Sequence, residues 1–244
     1  MRSMGYQRMN SFEKHGLVAH STAILMMRFV DQILRARAPG AVLGKRRATP
    51  HILLLSLSLA IFYGGVMGCY GGIGGDRIRQ PIYSGLKVPL MLLFTFALSL
   101  PSFYVLNLLL GLGEDFAETL RALLATQAIL TIVLASLSPF TVLWYASFSD
   151  HDNATLFNAA MFGIATLSAQ WRLRRYYKPL IARNVRHRWM LRLWLLIYAF
   201  VGIQLGWVLR PFLGHPNLPV SFFRPDSWGN AYVYVAEMIG HAVR

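Results

Sequence analysis

The stretch Gly68 to Pro89, GCYGGIGGDRIRQPIYSGLKVP, gathers glycines beside Asp76, Arg77 and Arg79, a combination that can cradle phosphate through backbone amides and guanidinium groups. A P-loop, however, needs G-x-x-x-x-G-K-S/T, and a dinucleotide turn needs G-x-G-x-x-G between a strand and a helix. After Gly72 and Gly74 the third glycine position holds Arg77, and the preceding segment reads as a membrane helix. The phosphate motif is therefore absent. Arg77 and Arg79 remain as groups for lipid headgroups or an acidic partner. Val66 to Cys69, VMGC, has the form of a lipoprotein box, but 68 residues precede the cysteine where a short signal peptide would be required.

Metal and nucleophile chemistry fare no better. Asp150, His151 and Asp152 form the densest set of potential ligands, yet three consecutive turn residues do not converge on one ion, so a solvated turn is expected. Cys69 is the only cysteine, which excludes an internal disulfide and a thiolate-built metal site. His187, His215 and His241 lie far apart, and no Ser, His and Asp stand in a hydrolase motif. No catalytic residue, metal or cofactor is assigned.

The run Arg172 to Arg188 is interleaved with Trp171, Tyr176, Tyr177 and Trp189. Arginines beside aromatics can hold single-stranded nucleic acid, but they are also the signature of a membrane boundary. Composition decides for the membrane: 55% of the residues are hydrophobic and 14% charged, against about 25% charged in soluble domains. The formal charge of +14 then finds its partner in anionic headgroups, through Arg28, Arg35, Arg37, Arg77, Arg79, Arg174 and Arg175, rather than in nucleic acid.

Five stretches approach the roughly 20 residues a spanning helix needs: Ile52 to Tyr70, Val88 to Leu112, Leu120 to Tyr145, Ala154 to Trp171 and Met190 to Leu209. The expected fold is an all-α polytopic bundle of five transmembrane helices. The N-terminus, MRSMGYQRMNSFEKHG, has no signal-peptide core, so insertion rests on these spans. With the N-terminus cytoplasmic, eighteen Lys and Arg fall inside (nine before the first span, Arg121, and eight from Arg172 to Arg192) and six outside. That asymmetry obeys the positive-inside rule and places the C-terminus outside, in what would be a bacterial inner membrane.

Three parts are expected: a cytoplasmic basic extension over 1–50, the spans over 51–212 and an extracytoplasmic tail over 213–244. In STAILMMRFVDQILRAR, Ala23, Met26, Met27, Val30, Ile33 and Leu34 share one helical face, and Arg28, Asp31, Gln32 and Arg35 the other, which predicts an amphipathic interfacial helix. From Asp226 a second short helix is expected on the outer surface, since Glu237 and His241 make a poor span.

No Asp, Glu, Lys or Arg lies near the middle of a span, which argues against a proton relay, pump or voltage sensor. Amides stand there instead: Asn107 with Gln127 at one depth, Asn158 with Gln204 at another, read as two hydrogen-bonded layers. Pro101 and Pro139 free the carbonyls of Ala97 and Ala135 and should kink their spans. Gly64 with Gly68, and Gly202 with Gly206, are G-x-x-x-G faces on which another helix can close, within the chain or between protomers.

A cytoplasmic extension followed by five closely spaced spans and a short outer tail resembles the plan of the Yip-type integral membrane proteins over about residues 50 to 212. The resemblance implies a non-enzymatic protein that organises membranes or recruits partners. The leading expectation is accordingly a scaffold or accessory subunit, with other membrane proteins or a second copy as partners. The alternative is a small-molecule or lipid transporter, its route lined by Asn107 and Gln127. A headgroup-modifying enzyme around Asp76, Arg77 and Arg79 is the third class.

Overall fold

A computed structural model of the chain describes residues 27, 30–35, 48–215, 219–224 and 232. The chain forms two compact units, Met1–Arg37 and Ala38–Arg244. In the first, residues 30–35 are helical, and Arg35 pairs with Asp31 at 2.6 Å. Ile33 is buried, whereas Met27 and Leu34, which share its expected face, are 73% and 41% exposed. Arg28, Arg37, Ala23 and Met26 lie outside the described residues.

The second unit is a helical bundle: α1 (Ala48–Gly68), α2 (Arg79–Leu109), α3 (Phe116–Ser147), α4 (His151–Arg183) and α5 (Arg186–Val208). Among the described residues there is no strand. Among the described residues, four segments are long and apolar enough to cross a membrane: Pro50–Gly68, Arg79–Leu109, Gly113–Ser147 and Arg186–Val208. The expectation of five such spans thus reduces to four by length and composition. The exception is α4, long enough at 33 residues, whose basic second half and scattered polar positions dilute its apolar content.

Local sequence explains the ends of these helices. Gly111, at φ +69°, closes α2 with two backbone bonds, Leu112 N to Asn107 O at 2.8 Å and Gly111 N to Leu108 O at 3.0 Å, the paired bonds of a Schellman cap. The turn SDHD proves to be a helix cap: Asp150 accepts from the Asp152 amide at 3.0 Å and from Asn153 Nδ2 at 2.7 Å. Its carboxylate is committed to starting α4, and no group of three or more metal-binding side chains occurs among the described residues.

The helices α2 and α3 run on through their interior prolines. Ser138 donates to the Ala135 carbonyl at 2.7 Å, so the acceptor that Pro139 leaves without its amide is satisfied by the neighbouring hydroxyl.

Helix α2 begins nine residues before the expected span, because Gln80, Ser84 and Lys87 are buried rather than looped out. Their polar atoms meet the chain that follows α5. Gln80 Nε2 donates to the Phe212 carbonyl at 3.0 Å, Ser84 donates to the same oxygen, and Lys87 donates to the Pro211 carbonyl at 2.6 Å.

In the packing, α1 lies against both α2 and α3, α4 lies on α3, and α5 lies on α2. Helices α4 and α5 are joined by a tight turn yet touch each other only sparsely. Around the outside, Phe62, Phe94, Phe140 and Phe200 from four different helices are exposed. A surface so apolar on every side suits hydrocarbon rather than water, and the protein is compatible with integration into a membrane.

Candidate functional site

Where α4 and α5 diverge, a groove of about 1180 Å³ opens between them, floored by α2 and α3. Its two walls differ in chemistry. From α5 come Leu195, Ala199, Gly202, Ile203 and Gly206, all apolar or small. From α4 come polar residues toward each end of one edge, His151, Thr155 and Asn158 at one and Thr166, Gln170 and Arg174 at the other, with Ala159, Phe162 and Gly163 between them. From Thr155 to Arg174 this edge runs about 30 Å at helical rise, the thickness of the hydrocarbon core.

Each end is basic. At one lie Arg174 and, on the same helix, Arg175, whose guanidinium stacks over Trp171 at 3.7 Å. At the other lie His151, Arg210 and Arg224, with Asp152 beside them. Arg210 stacks over Trp207 at 3.3 Å, and His151 lies 4.8 Å from His215 and 5.5 Å from Tyr70 between ring centroids. Burial foremost, and then His215, hold the His151 pKa below its usual value, while Asp152 pulls the other way. This second end is roofed by Pro211, Phe212 and Leu213, the segment held by Gln80, Ser84 and Lys87.

The expected site residues separate into distinct roles. Gly64 and Gly68 sit against the backbone of α2: a Cβ on Gly64 would come 2.4 Å from Ser84 O, and one on Gly68 2.6 Å from Pro81 Cα. Gly202 and Gly206 face side chains instead, with Cβ positions 3.4 Å from Thr95 and 3.8 Å from Met91, and they line the groove. The two G-x-x-x-G faces therefore do different things. One closes a helix pair, and the other leaves room.

Two of the amides, Gln127 and Asn158, meet tyrosines. Gln127 places Nε2 2.8 Å and Oε1 3.1 Å from the Tyr198 hydroxyl, linking α3 to α5. Asn158 donates to Tyr145 Oη at 2.7 Å and accepts from Tyr63 at 3.4 Å, and Tyr145 donates on to the Met67 carbonyl at 3.1 Å, so α1, α3 and α4 share one network. Asn107 is fully buried and donates to the Phe103 carbonyl of its own helix at 2.9 Å. It lies outside the groove. Gln204 is half-buried on α5.

Arg77 folds back on its own turn and donates to the Gly71 carbonyl at 2.9 Å. Gly71 suits that arrangement twice, through its φ of +80° and because a Cβ there would lie 2.5 Å from the guanidinium. Arg79 is exposed at the start of α2. In the tail, Tyr232 stacks on Phe200 at 4.6 Å and donates to its carbonyl at 2.7 Å. Phe200 lies eight residues before the end of α5, about 12 Å along its axis. Tyr232 thus lies beside the helix rather than beyond its end.

One cluster escaped the sequence reading. The fully buried His187 reaches Asp115 Oδ2 through Nε2 at 2.9 Å, and Arg183 bridges Asp115 at 3.3 Å and Glu118 at 2.9 Å. These bonds tie the α4–α5 turn to the start of α3, at the end of the groove where α4 and α5 meet. The spacing of 72 residues between His187 and Asp115 carries no local signal.

Compared with known proteins, the chain matches no family model, no curated protein and no solved structure.

Proposed function

We propose that the chain is a non-enzymatic, multi-pass membrane protein whose α4–α5 groove holds an amphipathic molecule of the bilayer. The observation that carries this reading is the groove itself, with one apolar wall, a facing wall that is polar toward both ends, and arginines at both ends. Concave, mostly apolar sites with a few placed polar groups are where ligands bind. In this reading α4 is the fifth span. The arginines of Arg172 to Arg192 face the cytoplasm, as the positive-inside rule asks, in a bacterial inner membrane with the C-terminus outside. Arg174 and Arg175 then sit at headgroup depth beside Trp171, and Arg28, Arg35 and Arg37 precede the spans on the same side. This favours the lipid-handling alternative over a route through Asn107, which the groove does not include.

The test is purification in mild detergent followed by lipid extraction and photo-crosslinking from position 163, inside the groove. Lipid crosslinked there, and lost on introducing Gly202→Trp, is the expected result. Crosslinking no stronger than from an exposed position on α1, such as 62, overturns the reading.

A scaffold or accessory role, in keeping with the Yip-like plan, is the second reading. Its support is Gly163, where an added Cβ would meet nothing within 4 Å, so that a helix of another subunit has room to approach. A chain that purifies alone and monomeric from its native membrane counts against it.

A further inference from the structure

Resting on the groove as an amphiphile site, we propose that it is a track along which phospholipid headgroups cross the bilayer while their acyl chains stay in the surrounding hydrocarbon. A polar group facing hydrocarbon without a partner is penalised by several kcal/mol, yet α4 sets Thr166, Gln170 and Arg174 along one edge of an open groove. Gln170 Oε1 is buried there with no hydrogen-bond partner, and so is His151 Nδ1 toward the other end. Packing does not account for Thr166, Gln170 and Arg174, because the buried row of α4 is a different one, Ala154, Asn158, Ala165, Ala169 and Leu173.

A site for a lipid resting in one leaflet needs polar groups at one end only. Here polar groups stand at both ends, Thr166, Gln170 and Arg174 toward one and His151, Thr155 and Asn158 toward the other, with Ala159, Phe162 and Gly163 between them over about 12 Å, and arginines lie in both headgroup zones. The charge suits phosphate: Arg174 at one mouth, and Arg210 and Arg224 against Asp152 at the other. The opposite wall is complementary to acyl chains, and Gly202 and Gly206 on it keep the groove wide. Movement along such a track is passive. It needs no nucleotide or ion gradient, only a barrier lowered by replacing part of the headgroup's hydration at each step.

The purified full-length protein, reconstituted in phosphatidylcholine and phosphatidylglycerol vesicles carrying a trace of tail-labelled fluorescent phospholipid, tests this by dithionite bleaching. In vesicles without protein only the outer-leaflet half bleaches. With the protein, bleaching is expected to approach completion, and the Thr166→Leu/Gln170→Leu double variant is expected to slow it at least about tenfold, equivalent to about 1.4 kcal/mol of barrier. Gly163→Leu, which fills the groove midway along α4 and leaves every polar side chain in place, serves as the second variant and is expected to slow bleaching as well. Each is first shown to match the wild-type protein in gel-filtration profile and melting temperature. Bleaching that stops at half, or that proceeds in both variants as fast as in the wild-type protein, overturns the track. If position 163 still crosslinks lipid in that case, the groove binds lipid without moving it, and only this inference falls.

Discussion

The Lys87 ammonium donates to the Pro211 carbonyl at 2.6 Å and lies 4.8 Å from the Phe222 ring, so a fully buried cation near the start of α2 pins the segment after α5 in two places. Lys87→Met keeps the length and the ring contact but deletes the donor. The cost expected is about 1–3 kcal/mol, that of a buried acceptor deprived of its partner. Chymotrypsin added from the tail side should then cut at Phe222 and Phe223 faster than in the wild-type protein. Equal cleavage rates would show that Gln80 and Ser84 suffice.

The α1–α2 seam makes a sharper steric statement. Gly64→Ala drives a methyl to within 2.4 Å of the Ser84 oxygen, a backbone atom that cannot swing away, so the helices must separate. Overpacking of this kind costs about 1–3 kcal/mol. Gly163→Ala meets open space and should leave the melting temperature unchanged or slightly raised. Thermal scans of the two variants in one detergent decide the contrast, and equal destabilisation would remove it.

At the other end of the molecule, Asp115→Ala strands the Nε2 of a wholly buried imidazole and unpairs one arm of Arg183. A loss of about 1–3 kcal/mol is expected. Adding His187→Phe should recover most of it, because removing both partners is far cheaper than orphaning one. A double-mutant cycle measured by denaturant titration reads this coupling directly, and strict additivity would refute it.

His151 supplies a pH dependence. Its pKa in the fold lies below the usual 6.5, so the neutral ring is favoured there, and the stability that this contributes is complete above that value and lost as pH falls through the lowered pKa. Melting temperature should therefore drop between about pH 7.5 and about pH 5.5, more in the wild-type protein than in His151→Phe. Superimposable pH profiles would assign the dependence elsewhere.

Much of this bundle is legible in the chain itself, for reasons that particular residues make clear. Spans rich in Leu, Ile and Phe announce α1, α2, α3 and α5, because hydrocarbon length and composition are local properties. Gly64 and Gly68 signal close approach, but not that Ser84 and Pro81 are what they approach. The beginning of α2 was illegible: Gln80, Ser84 and Lys87 look like loop residues until Pro211 and Phe212, more than 120 positions away, accept their hydrogen bonds. The polar positions of α4 weaken it as a span in sequence and give the groove its edge in space. Likewise the tyrosines that take up Gln127 and Asn158 read as ordinary apolar positions until the helices are assembled.

The sparse contact between α4 and α5 has a mechanical consequence. Like two leaves of a book hinged at Asn184 and Val185, they are held by different neighbours, α4 by α3 and α5 by α2, and those two pairs are joined mainly through α1. The gap between the leaves is thus governed by the spine. Helix α1 touches the groove only through Met67, yet, packed against both α2 and α3, it helps set how far apart those helices, and the leaves they carry, stand.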